Sequence, residues 1–167
     1  REQNLDFIAH HTIRKVGDRD NKSAMQATLK ALMSNPDTFG YEVVPSNQIT
    51  VDDALEHIET INSEREAKIK ELASLAVFKH GFGVNMTSYD QVRAEMIKAS
   101  NADWLQRYDI SPDEVLDYAI DHAEHIIDTK YGDMTTKTKT NLKAGMSMLK
   151  AQRDGTETAA VYTHNEL

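Results

Sequence analysis

The sequence predicts an all-α fold, an irregular bundle of five to seven helices packed around one long helix. Three observations carry that expectation. Thr50–His80 runs without a proline or glycine. Apolar residues recur at the three-to-four spacing of an amphipathic helix through most of the chain. Ser111-Pro112-Asp113-Glu114 combines an N-cap serine, proline at the first helical position, acids in the first turn and glutamate at the capping-box position.

Within the long helix, Leu55, Ile58, Ile61, Ile69, Leu72, Ala73 and Ala76 share one face at about 100° per residue. Thr50 can cap the free amides, Asp52 and Asp53 place negative charge at the positive end of the helix dipole, and Gly81 and Gly83 mark the stop. Glu64 with Lys68 and Glu66 with Lys70 have the acid-first spacing of a solvated ion pair. Arg65 is the anomaly, because the same arithmetic puts its charge near the middle of the apolar face. Three resolutions are open. Its head can reach water along the helix surface. A capping box at Ser63 and Glu66 can break the helix and re-phase it. Or Arg65 can meet a carboxylate from the acidic helix or from another subunit.

Before the long helix, Leu5, Ile8, Ala9, Thr12, Ile13 and Val16 predict a first helix with an Asn4 cap and a Gly17 stop. From Ser23 a second helix runs through Met25, Leu29, Leu32 and Met33 to Asn35-Pro36. The pair invites a helix-turn-helix reading, but the second helix offers only Gln26, Thr28 and Lys30 for groove contacts and lacks a basic face. Turn chemistry at Pro45-Ser46-Asn47 between two β-rich runs predicts a minor β-hairpin near residues 41–51, with an extended linker as the alternative.

Beyond the long helix, Ser88 and Gln91 predict a capping box opening a helix through Val92, Met96 and Ile97. Trp104, the only tryptophan, is either a core residue or an anchor for a partner. The helix opened by Ser111 buries Val115, Leu116, Ala119, Ile120, Ala123, Ile126 and Ile127 and is expected to end near Tyr131-Gly132. Its outer face carries Glu114, Asp117, Asp121, Glu124 and Asp128. From Asn101 to Asp128 eight acids face one base, a local −7; from Lys130 to Arg153 six bases face one acid, a local +5. The simplest outcome is an antiparallel pair of helices with complementary flanks. The other is a basic ridge of Lys139, Lys143 and Lys150 that meets phosphate or an acidic protein. Residues 1–153 are expected to form a single helical domain, with a helix end at Gly155. The polar tail 154–167 is disordered or docks on a neighbouring chain through residues such as Tyr162.

Composition narrows the function classes. Acids outnumber bases by 27 to 19, for a net charge of −8, which disfavours broad binding to nucleic acid or anionic membrane. With no cysteine, disulfides, thiolate catalysis and sulfur-ligated zinc are excluded. No apolar run approaches the length that spans a bilayer. The expected location is the cytoplasm, or a particle assembled there.

His122 and His125 with Asp121 and Asp128 are the only local cluster with metal-ligand character. They share one helix, whereas a divalent site usually draws on several elements. A solvated helix surface is the expectation, with no metal or cofactor. Glu56-x-x-Glu59 and Glu114-x-x-Asp117 resemble the carboxylate pairs of helical nucleotide pyrophosphohydrolases. That resemblance implies a magnesium ion held between two helices, although the 55-residue separation of the pairs is long for the family. No phosphate-binding glycine loop, dinucleotide fingerprint or nucleophile elbow is present.

The leading expectation is therefore a non-enzymatic helical interaction protein, either a subunit of a larger particle such as a virion component or a small regulator. Its partner would be a protein or further copies of itself. Arg65, Trp104, Lys139, Lys143, Lys150 and Tyr162 are the candidate partner-binding residues. The alternatives are an acidic inhibitor that imitates nucleic acid, with Asp113–Asp128 as its face, and a magnesium-dependent nucleotide phosphohydrolase using Glu56, Glu59, Glu114 and Asp117.

Overall fold

The computed structural model describes residues 2–34, 49–130 and 133–166, with side chains for 4–34, 49–129 and 133–155. Among the described residues it is all-α: α1 (Glu2–Val16), α2 (Lys22–Ser34), α3 (Val51–Phe78), α4 (Tyr89–Ala99), a π-helical turn (Trp104–Tyr108), α5 (Pro112–Asp121), α6 (Ala123–Lys130) and α7 (Thr136–Glu166). The chain's contacts divide it into two compact units, Arg1–Glu64 and Arg65–Leu167. The division falls inside α3, and the sequence there supplies the reason. Between Ile61 and Ile69 the helix carries Asn-Ser-Glu-Arg-Glu-Ala-Lys, which interrupts its apolar line.

In the first unit, α1 packs on α2, and Leu5, Ile8, Ala9, Ile13, Met25 and Leu29 form an apolar cluster with Ile49, Ala54 and Ile58. Helix α1 begins at Glu2, so Asn4 lies inside it and does not cap it. Gly17 ends the helix as expected, in the left-handed region at φ +80°, its amide donating to Ile13 O at 2.9 Å. Asn21 caps α2, accepting from the Ala24 amide at 3.0 Å. Thr12, buried on the apolar face, donates its hydroxyl to Ile8 O at 2.7 Å, which satisfies it within the helix. Residues 41–48 of the expected hairpin lie outside the described residues. Val51, expected in its second strand, is the first residue of α3. Thr50 and Asp53 cap that helix reciprocally, side chain to amide in both directions at 3.1 and 3.2 Å.

In the second unit, α4 packs on α5 and α7, and α5 and α6 pack on α7. The core gathers Ile69, Leu72 and Val77 of α3 with Phe82, Val92, Met96, Trp104, Ile110, Leu116, Ile127, Met146 and Leu149. Helix α3 is continuous through Asn62 and Ser63, so no capping box interrupts it there. Of its two expected pairs, Glu66–Lys70 forms at 3.3 Å. Lys68 pairs with Glu71 at 3.5 Å rather than with Glu64, and its ammonium also lies 5.9 Å from the Tyr108 ring centre.

Ser88 precedes α4, but its side chain makes no capping bond. The Tyr89 amide is taken by Gln152 Oε1 of α7 at 2.7 Å, while Gln152 Nε2 donates to Thr87 O at 2.8 Å. Gln152 thus ties the start of α4 to α7, while the cap expected from Ser88 is not made. The Ser111–Glu114 capping box is present in full. The helix it opens is shorter than its apolar pattern implies, because His122, at φ −115° and ψ 22°, divides it into α5 and α6. At the far end α7 runs through Gly155 to Glu166. An interior glycine costs a helix about 1 kcal/mol relative to alanine, too little to stop it when the following residues are helix-compatible.

Candidate functional site

The acidic and basic segments meet in the second unit, and their side chains largely consume one another. Arg153 of α7, its side chain 13 % exposed, donates to Asp117 at 3.1 Å, to Asp121 at 2.7 Å and to Asp154 at 3.1 Å. Successive turns of α5 place Asp117 and Asp121 four apart on one face, the spacing a guanidinium fork can bridge. The Asp121 hydrogen bond, above all, holds Arg153 above the ordinary arginine range, with Asp154 and Asp117 adding to it. Ten residues earlier on α7, Lys143 pairs with Asp128 of α6 at 2.9 Å. That hydrogen bond, with Lys139 adding its charge, lowers the Asp128 carboxyl below its usual value. Arg93 of α4 holds Asp113 at 3.0 Å. The acidic helix and the basic helix are thus paired flanks of one bundle.

Arg65 resolves in the same manner. Its Nε donates to Tyr108 O at 3.1 Å, and its NH2 donates to Asp109 O at 3.0 Å and to the Glu114 carboxylate. The side chain is 16 % exposed. Of the three resolutions, the carboxylate from the acidic helix is the one formed, and it is formed within the chain. The carbonyls become available because the chain turns sharply at Asp109, a non-glycine residue with φ +55°. This π-helical turn carries no periodic signal of its own.

The remaining candidate residues separate. Trp104 is 6 % exposed and belongs to the core, while its neighbour Leu105 is 65 % exposed. Lys139 is half-buried beside Asp128, and Lys150 is exposed. Tyr162 lies on the α7 backbone, and its side chain is outside the described residues.

Lys143, Ser147 and Lys150 stand at i, i+4 and i+7 on α7 and form one wall of an open groove of ≈ 470 Å³. His122 and His125, with Asp121 and Glu124, line the other wall at the α5–α6 break. His122 lies against Tyr118, ring centres 4.2 Å apart. A second groove of ≈ 640 Å³ between α3 and α6 is lined by Ala67, Ser74, Tyr118, His125 and Ile126 among others. The two grooves share His125. Periodicity places His122 and His125 on one helix, but nothing in it announces that Lys150 and Ser147 line the same groove.

Among the described residues, no group of three or more His, Asp or Glu side chains is placed to hold a metal ion. The four carboxylates of the phosphohydrolase resemblance are distributed over both units, Glu56 and Glu59 in one, Glu114 and Asp117 in the other. Three of them are engaged by cations: Glu59 by Lys22 at 3.5 Å, Glu114 by Arg65 and Asp117 by Arg153. No helix of the described residues is long and apolar enough to cross a membrane. Comparison with protein-family models, with curated proteins and with solved structures finds no match to the chain.

Proposed function

We propose that this chain is a non-enzymatic helical interaction protein, a subunit of a larger assembly or a small regulator that acts by binding another protein. One observation carries the reading. Most of the charges that would serve an acid–base pair, a magnesium site or a nucleic-acid-like face are engaged in ion pairs between the chain's own helices, most fully at Arg153 with Asp117 and Asp121. Large apolar side chains are left exposed as well. Leu75, Val84, Ile97, Leu105 and Met148 are each more than two-fifths exposed, all in the second unit, and exposed large apolar groups are what protein partners cover. The partner is a protein or further copies of the chain, and the cytoplasm or a particle assembled there is part of the same proposal.

Mass in solution, measured by light scattering across a salt series, tests it. The full chain is compared with a chain lacking residues 154–167 and with Leu105→Glu. A stable oligomer that either change dissociates supports the assembly form. A monomer in every condition, with no change in self-association for Leu105→Glu, counts against assembly and directs the work to binding assays and to a screen for magnesium-stimulated nucleotide hydrolysis.

A further inference from the structure

In the groove between α7 and the α5–α6 break, polar groups of both walls converge and some are left uncommitted. Of its two acids and two lysines, Asp121 is held by Arg153 at 2.7 Å and Lys143 by Asp128 at 2.9 Å. Both sit as structural pairs. Among the described residues, Lys150 and Glu124 have no ion pair, and Ser147 has no hydrogen bond from its hydroxyl. His122 rests on Tyr118 by its ring face, which leaves its ring nitrogens to the groove side or to water. His125 takes one contact, Thr129 Oγ1 to Nδ1 at 3.4 Å, long for a hydrogen bond, and its Nε2 is uncommitted.

From this arrangement we infer that the groove binds a small phosphate monoester with a hydroxylated body, through Lys150, Ser147, His122 and His125. A tetrahedral dianion presents several oxygens at once, and this donor set reaches it from two sides: an ammonium and a hydroxyl on α7, imidazoles at the α5–α6 break and on α6. A bare cation is the wrong occupant, since Lys150 repels it. Glu124 lies on the same lining and would repel a second anionic group, but it accepts hydrogen bonds from hydroxyls. A space of ≈ 470 Å³ holds a small phosphorylated polyol or sugar. The site is independent of the interaction reading above, and either can fail alone.

The experiment is a titration of the full chain with glycerol 3-phosphate, read by the ring NMR signals of the histidines at constant ionic strength. Inorganic phosphate and glycerol serve as comparison probes. Saturable shifts are expected at His122 and His125 and not at His10 or His57, weaker with inorganic phosphate and absent with glycerol. Lys150→Gln alters an exposed side chain and keeps the fold, which circular dichroism verifies. It is expected to weaken binding by about tenfold, the effect of losing one hydrogen bond to a charged group. Lys139→Gln, on the same helix but outside the groove lining, is expected to leave binding unchanged. Shifts that never saturate, that appear equally with glycerol, or that are the same in Lys150→Gln overturn the assignment.

Discussion

Gly83 and Gly145 meet backbone to backbone: a Cβ on Gly145 would run into the Gly83 carbonyl oxygen, and a Cβ on Gly83 would lie 2.8 Å from the Gly145 carbonyl carbon. The loop after α3 is pressed onto α7 at this point, where Phe82 enters the core. Gly83 also adopts φ +82°, a conformation that side chains disfavour. Gly145→Ala is therefore expected to destabilise the fold by about 1–3 kcal/mol, as overpacking does. Gly155→Ala on the same helix, where a Cβ meets nothing within 4 Å, is expected to stabilise by up to about 1 kcal/mol. Urea unfolding of the two variants checks both signs.

Arg65 joins α3 to the turn at Tyr108–Asp109 and to Glu114. Arg65→Met leaves two carbonyls and a carboxylate without their donor and is expected to cost about 2–4 kcal/mol. Arg65→Lys restores the charge but not the fork and should recover only part of the loss. Arg93→Met breaks a pair exposed on both sides, 51 % and 54 %, and is expected to cost less than about 1 kcal/mol. Denaturant midpoints order the three variants, and equal losses for Arg65→Met and Arg93→Met would refute the tie.

The first unit should weaken in mild acid. His10 on α1 has its pKa lowered from the ordinary 6.5, chiefly by burial, with Arg14, Arg19 and His57 pushing the same way and Asp6 opposing them. A folded-state value below the unfolded one means that the unfolded chain binds more protons between the two. The contribution is complete above about pH 6.5 and is lost as the pH falls toward the folded-state value. Amide exchange of α1 at about pH 7.5 and about pH 5 should show faster opening in acid. In His10→Gln the contrast should shrink.

Arg153 keeps Asp117 and Asp121 occupied. Arg153→Gln is expected to destabilise the second unit by about 1–3 kcal/mol, since it removes bonds to two carboxylates while Asp154 stays exposed. It also frees negative charge on α5, so the variant should bind a basic exchange resin or a polylysine probe more tightly at low salt than the parent does. Equal retention of the two proteins would show that the pairs do not mask that face.

Trp104 reports on the core directly. Buried at 6 % exposure, it is expected to emit at short wavelength in the folded chain and to shift red on unfolding. Trp104→Ala is expected to cost about 3–5 kcal/mol. A parent emission typical of solvated tryptophan would place Trp104 at the surface.

How far the sequence could be read depends on the range of the interaction concerned. The Ser111–Glu114 capping box, the Gly17 stop and the Thr50 cap of α3 are local, and each was legible from residues within one turn. Ser88 makes no capping bond, and the start of α4 is held instead by Gln152, more than sixty residues away, which accepts from the Tyr89 amide and donates to Thr87 O. The break at His122 and the π-helical turn after Trp104 are hidden in a pattern that continues to read as helix. For Arg65 the anomaly was visible but its partner was not. Periodicity shows that a charge is misplaced on a face, not which carbonyl or carboxylate comes to meet it. The groove is a sharper case: Lys143 and Lys150 share an arc in the sequence, yet which of them is spent on Asp128 and which is left over depends on the approach of α6.

The sequence by itself determined the all-α class, most helix starts and stops, and the complementary charge of the last helices, because caps and apolar periodicity act over three to four residues. Tertiary structure alone decided where the core divides within α3, which cations cancel which acids, and which side chains line the groove. Those outcomes depend on distances between helices remote in sequence, set by packing contacts such as that of Gly83 with Gly145.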